Sequence, residues 1–312
     1  MKKRLKQIAW ITVLKTIITI LLLCITYTKT DLKLLREHLS KVNVLLFAAG
    51  YAMQNLSVIL SSVRSRLYLK EYGANISAYN CLTLYYLGMF YNLILPSGIG
   101  GDGYKIYLLW IKERFPKWKA LRVFFYERLN GLAALTFIVL FFALKSSLVE
   151  RHWSIYPITI ALLALLFPSY LLGACLIFRD RFRSACQCMP FSLLSQSTHT
   201  ISALLVFYAL DISNDHTILA NYLLVILISS VVAILPITIG GCGIRELTFL
   251  YAAETLSIVD LNTGISFAIC NYILYLTAGL TGGLFFYNLK KWKISNGTIE
   301  DAKCSSRSSF MA

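Results

Sequence analysis

Leu95-Pro-Ser-Gly-Ile-Gly-Gly-Asp-Gly103 recurs, shifted by 140 residues from 95 to 235, as Leu235-Pro-Ile-Thr-Ile-Gly-Gly-Cys-Gly243. Each copy closes an apolar stretch with a proline and three glycines in common (the first has a fourth, Gly98), and each sets a cation two residues further on, Lys105 in the first and Arg245 in the second. One Gly-Gly-x-Gly string in an apolar chain reads as a kink or a close helix crossing. Two copies with the same Leu-Pro, the same Ile-Gly-Gly-x-Gly and the same trailing cation read as helix breaks at matching places in two halves. That pattern points to a transport site at a repeat interface.

The composition fixes the solvent around this motif. Hydrophobic residues make up 57% of the 312 residues and charged residues 14%, and the mean hydropathy is +0.66. Several apolar runs reach the roughly 20 residues that a helix needs to cross a hydrocarbon core. The sequence therefore predicts an integral membrane protein. The 30 Lys and Arg against 15 Asp and Glu read as a cytoplasmic loop bias and an attraction for anionic lipid head groups, not as a nucleic-acid surface. The apolar run from about 8 to 27 is too long for the core of a secretory signal and has no small-residue cleavage site after it, so it reads as a retained span. The eight cysteines form no C-x-x-C pair and the four histidines lie far apart. Cys186 and Cys188 read as reduced thiols, and neither a metal nor a cofactor is expected.

Six full spans are expected, at about 8–28, 42–62, 120–144, 155–178, 191–210 and 264–288. The segments following the two motifs, 104–111 and 244–257, are too short or too charged to cross. They predict two re-entrant helical hairpins. With the N-terminus placed inside by Lys2, Lys3, Arg4 and Lys6, the loop containing Arg64, Arg66 and Lys70 falls on the cytoplasmic side. The first hairpin then dips in from the cytoplasm and the second from the opposite face. Against this path stands the segment 29–41, with four cations and two acids on the outer side. The expected fold is all-α and polytopic: a membrane domain over 1–289, with oppositely oriented repeat halves at 42–144 and 191–288, and a short polar cytoplasmic tail at 290–312.

The candidate site follows from this layout. Non-helical backbone at membrane depth is tolerated where it is buried in protein or lines a wet cavity. Free N–H groups and positive helix ends at the two tips, joined by Lys105 and Arg245, make a seat for an anion, with phosphate the natural occupant. The residues expected to line it are Pro96, Gly98, Gly100, Gly101, Asp102, Gly103 and Lys105 from the first copy. Pro236, Gly240, Gly241, Gly243, Arg245 and Glu246 come from the second, and Glu127 and Arg128 from the span starting near 120. Asp102 reads as a cavity group or as a cap of the return helix. Glu127 and Arg128 read as cavity-facing or as structural ion pairs to other helices. Glu246 and Glu254 read as hairpin-stabilising groups ahead of proton carriers, and His199 as a helix-bonding residue ahead of a proton relay.

Taken together, Asn92 to Asp102, Tyr107-Leu-Leu109, Leu235 to Glu246 and Glu127-Arg-Leu-Asn-Gly-Leu132 make the chain resemble the membrane half of lysylphosphatidylglycerol synthases, the flippase-like family. The likeness extends from the second span to the last. It implies translocation of an anionic or modified phospholipid, or of a polyprenyl-phosphate-linked lipid, between leaflets of a bacterial inner membrane. The tail is too short for the soluble aminoacyl-transferase domain of the full synthases, so lysyl transfer from tRNA is not expected and the chain is read as a non-enzyme. Membrane lipids with anionic head groups are the expected partners. The alternatives are a small-solute or ion transporter of inverted-repeat type, and a membrane-embedded partner of a lipid- or glycan-modifying transferase.

Overall fold

A computed structural model describes residues 2–95, 100–151, 153–178, 182–233, 238 and 241–292. Among them there are thirteen α-helices, one short 3₁₀ stretch and no strand. The expected all-α architecture is the one observed. In chain order the helices are α1 (Lys2–Thr28), α2 (Leu32–Ser40), α3 (Val44–Glu71), α4 (Ala78–Ile94), α5 (Gly100–Lys112), α6 (Lys117–Leu144) and α7 (Ser147–Arg151). They continue with α8 (Ile155–Phe178), α9 (Phe182–Ala209), α10 (His216–Val232), α11 (Ile244–Glu254), α12 (Leu261–Thr281) and α13 (Phe286–Lys291).

Their starts are written in short polar residues. Asp31, Asn43, Ser77, Asp215 and Asp260 each stand at an N-cap and accept hydrogen bonds from first-turn N–H groups, replacing bonds that a helix start lacks. Val44–Glu71, Lys117–Leu144, Ile155–Leu176 and Leu261–Leu289 are long and apolar enough to span a membrane. A fifth candidate is a broken pair, Val13–Thr28 with Leu32–Ser40, bent by 93°. The bend accounts for the charged segment 29–41, which forms the short helix α2 and its caps instead of an open loop. α9 has 28 residues, about 42 Å of helix, yet its buried Ser and Thr side chains keep it out of the strongly apolar set.

Those hydroxyls serve the seam between α3 and α9, the most extensive helix packing in the chain. Ser57 Oγ donates to the Ser195 carbonyl at 2.9 Å, and Ser195 Oγ donates to the Ser57 carbonyl at 3.1 Å. Going out from this pair, Gln54 meets His199, Gly50 meets Ser202 and Arg64 meets Ser192. Residue numbers rise on one helix as they fall on the other, so the two run antiparallel. Small side chains let the backbones approach, and interhelical hydrogen bonds of this kind contribute on the order of 0.6 kcal/mol each in a membrane.

Apolar packing gathers into two main clusters on either side of this seam. One joins the C-terminal part of α3 with α4, α5 and the start of α6, and holds the buried Trp292. The other joins the end of α6 and α9 with α10, α11 and α12, around the edge-to-face rings of Phe207, Tyr222, Phe249 and Phe267.

The two glycine motifs differ in conformation. In the first copy Gly100, Gly101 and Gly103 are themselves helical, so α5 has 13 residues and begins inside the motif. The sequence expectation of a return segment starting at 104 placed that boundary too late. In the second copy Gly241 and Gly243 have φ of +78° and +84°, a region that side-chain-bearing residues avoid, and α11 starts only at Ile244. Pro96, Gly98, Pro236 and Gly240 lie outside the described residues, as does the tail beyond 292. α5 and α11 have 13 and 11 residues, about 20 and 17 Å. Both are shorter than a bilayer core.

Candidate functional site

The middle parts of α3, α6 and α9, together with α4, α5, α10, α11 and α12, enclose a cavity of about 530 Å³. Such a volume is typical of a pocket for one small ligand or head group. Four basic side chains line it, Arg64, Lys105, Arg128 and Arg245, against two carboxylates, Asp102 and Glu127. Except for Arg128, all of these residues are at most 7% exposed.

Charges this deep need partners, and the first half of the chain supplies them. Asp102 sits in the first turn of α5, where the helix N-terminus favours a negative charge. Its Oδ2 accepts from Arg128 Nε at 2.6 Å, and its Oδ1 lies 3.1 Å from Lys105 Nζ. The Lys105 ammonium also faces the rings of Tyr85 and Phe124, 4.2 and 4.9 Å from their centroids, an attraction that strengthens away from water. Its stem crosses α4 at Gly88, where a Cβ would fall 2.4 Å from Lys105 Cε. Glu127 Oε1 accepts from Arg64 Nη2 at 3.1 Å, and Arg64 Nη1 donates to Ser192 Oγ at 3.0 Å. Glu127 and Arg128, neighbours in sequence, thus point to different helices, α3 and α5.

Arg245 stands apart. Among the described residues no carboxylate oxygen lies within 4.0 Å of its nitrogens. Its Nη1 reaches Ser230 Oγ at 3.5 Å, its guanidinium stands 5.8 Å from the centre of the Tyr275 ring, and its Nε is buried with no hydrogen-bond partner. Arg64 Nε and Glu127 Oε2 are buried and unpaired in the same way. Three residues that line the cavity thus carry two unmatched donors and one unmatched acceptor buried in its walls, where such groups are costly.

Of the residues expected to form the site, Asp102, Lys105, Glu127, Arg128 and Arg245 are brought together in this cavity. None of the described motif glycines lines it. Gly101 instead allows α4 and α5 to touch: its N–H donates to Asn92 Oδ1 at 2.8 Å, and a Cβ there would fall 2.0 Å from the Gly88 carbonyl oxygen. Gly243 faces α1, with Leu22 Cβ 3.0 Å from where its own Cβ would be. Glu246 is buried but turns away from the cavity to accept the Gly243 N–H at 2.8 Å, so it holds the start of α11. Glu254 pairs with Lys29 at 2.7 Å, tying α11 to the end of α1. His199 bonds Gln54 across the α3–α9 seam.

Arg64 is the residue that sequence reading misplaced. The loop charges place it in a cytoplasmic loop, but α3 continues to Glu71 and buries it. The available signal was an Arg set among Ser61, Ser62 and Ser65 at the end of an apolar run, with Glu127 as an acid inside another apolar span. Gln54, Ser57, Tyr85 and Tyr275 also line the cavity and carried no comparable mark.

Fold and site together define a class: a helical integral membrane protein whose buried charges are collected at the meeting of two helix-broken segments. A family model for the lysylphosphatidylglycerol synthase TM region matches residues 12–191, and the chain belongs to that family. The match takes in the first glycine motif and Glu127-Arg128 and ends before the second motif. No curated protein and no solved structure matches the chain.

Proposed function

We propose that this protein moves a lipid with an anionic head group between membrane leaflets, without covalent chemistry on it. The candidate cargo is a phospholipid, plain or modified, or a polyprenyl-phosphate-linked lipid. The observation that carries this reading is the convergence of Lys105 and Arg245, the trailing cations of the two motifs, on one cavity with an excess of basic over acidic side chains. Arg245, buried and without a carboxylate partner among the described residues, is the strongest attractor for a phosphate oxygen.

The lining of α6 favours a lipid over a small solute. Phe125, Arg128 and Leu132 line the cavity and are solvent-exposed. At spacings of three and four they share one face of the helix, which supports a lateral way in past apolar side chains, as acyl chains would require.

The same reading makes residues 42–144 and 191–288 two halves of opposite orientation, with the second half starting earlier, at Phe182. α9 begins at 182 against 44 for α3, and α10 at 216 against 78 for α4, a shift of 138 in both cases. Ser57 and Ser195 are separated by the same 138 residues and exchange reciprocal hydrogen bonds, as equivalent residues do across a two-fold axis. On this reading the basic clusters favour both termini on the cytoplasmic side, and the membrane we propose is a bacterial inner membrane.

The test is leaflet exchange of a fluorescent phosphatidylglycerol in proteoliposomes, read by dithionite quenching, alongside native mass spectrometry of co-purified lipid. The expected result is exchange by the wild type that falls at least tenfold in Arg245→Gln and in Lys105→Ala. Undiminished exchange in both variants refutes the anion seat. Retention of a small anion without lipid, and no exchange, would favour a solute transporter.

A further inference from the structure

The anion seat is built twice in this cavity and filled once. On the α5 side the two oxygens of Asp102 are divided between two cations, Oδ2 to Arg128 Nε at 2.6 Å and Oδ1 to Lys105 Nζ at 3.1 Å. Two oxygens of a phosphate group would be shared between the same cations in the same manner. A shift of 140 residues carries Lys105 onto Arg245 and Asp102 onto Cys242. The second cation thus lacks the acid that the first one has, and its buried Nε is left without a partner. In the same cavity one motif cation is matched by a carboxylate, and the other, among the described residues, is not.

We propose that Asp102 is an internal counter-anion, which an anionic head group first held by Arg245 displaces from Lys105 and Arg128; this deepens the translocation reading and rests on it. Three features make the exchange feasible. Lys105 remains fixed by the Tyr85 and Phe124 rings when the carboxylate leaves. Arg128 has 41% of its side chain exposed and is reached from the lateral face of α6. A displaced Asp102 still lies in the first turn of α5, where the positive helix end favours a negative charge. Return of the carboxylate then expels the head group. The anion is not trapped on the three cations Lys105, Arg128 and Arg245.

The experiment uses the full chain in lipid nanodiscs with two probes, dioctanoyl phosphatidylglycerol and inorganic phosphate. Asp102→Asn keeps the shape and removes the charge. It is expected to bind the lipid probe roughly tenfold more tightly, the scale of one charge-assisted contact, and to slow leaflet exchange because release loses its competitor. Asp102→Glu, which retains a carboxylate, is expected to bind as the wild type does. Tightening for the lipid probe alone assigns the seat to a head group, and tightening for both probes assigns it to any phosphate. Unchanged or weaker binding of both overturns the proposal.

If Asp102→Asn does not fold, infrared difference spectra of the wild type and Asp102→Glu decide the matter. Adding the lipid probe must shift a carboxylate band whose position differs between the two proteins, and an unperturbed band overturns the proposal. Tighter binding by Asp102→Asn with no lipid exchange by the wild type would remove translocation and leave the counter-anion in place.

Discussion

Replacing Glu127 by Leu strands Arg64, and the size of the loss can be worked from the contact. The pair is 3.1 Å apart, with side chains 7% and 5% exposed. Two unit charges at that distance attract by about 5 kcal/mol at an effective dielectric constant of 20. Removing one member of a buried pair costs about 3–5 kcal/mol, because the survivor is left uncompensated. Arg64 retains its bond to Ser192 at 3.0 Å, which places the expected loss for Glu127→Leu near 3 kcal/mol. Arg64→Met, which leaves the carboxylate with no recorded donor, should lose about 4 kcal/mol.

The double variant removes both charges. It should lose only about 2–3 kcal/mol, less than the summed single losses, because no buried charge is left uncompensated while the bond to Ser192 and the native packing are lost. The assay is unfolding in mixed micelles of rising SDS fraction, followed by tryptophan fluorescence, on the four proteins of the cycle. The single losses should exceed the double loss by about 4 kcal/mol when summed. Additivity within about 0.5 kcal/mol, as found for independent sites, would refute the claim that Arg64 and Glu127 form a buried pair.

Three further outcomes test the packing around the site. Gly101→Ala, whose new Cβ meets the Gly88 carbonyl at 2.0 Å, should destabilise by about 1–3 kcal/mol, whereas Gly103→Ala, with nothing within 4 Å, should be neutral or stabilising by up to about 1 kcal/mol; the same SDS titration separates them, and equal effects would contradict the α4–α5 approach. Gly243→Ala should cost about 1–2 kcal/mol, because φ is +84° and Leu22 crowds the new methyl; an unchanged midpoint would argue against this turn. Asn43→Ala removes the cap that accepts from Leu45 and Leu46 and should cost about 1 kcal/mol, read as faster amide hydrogen exchange in the first turn of α3, and unchanged exchange there would remove the cap.

The site shows how far local sequence reaches. Lys105 and Arg245 were legible because each trails a proline and glycine break, and a repeated break in an apolar chain is a local signal. Asp102 and the Glu127-Arg128 pair were legible as charges where charge is costly. Their partners were not, because Arg128 meets Asp102 across 26 residues and Arg64 meets Glu127 across 63. No periodicity encodes such pairings. Arg64 follows an apolar run closely enough that a hydropathy reading ends the helix before it.

The sequence by itself determined an all-helical membrane chain, where its apolar helices run, and the two motifs that interrupt them. Apolar run length, cap residues and helix breakers act within a few residues of chain, so they are written there. Only the tertiary structure decided that motif glycines pack helices instead of lining the cavity, and that the two copies differ in backbone conformation. It also decided that one trailing cation is neutralised by Asp102 while the other, beside Cys242, keeps a buried donor free. These outcomes depend on which side chain of a distant helix enters the space left by a missing Cβ, and packing alone decides that.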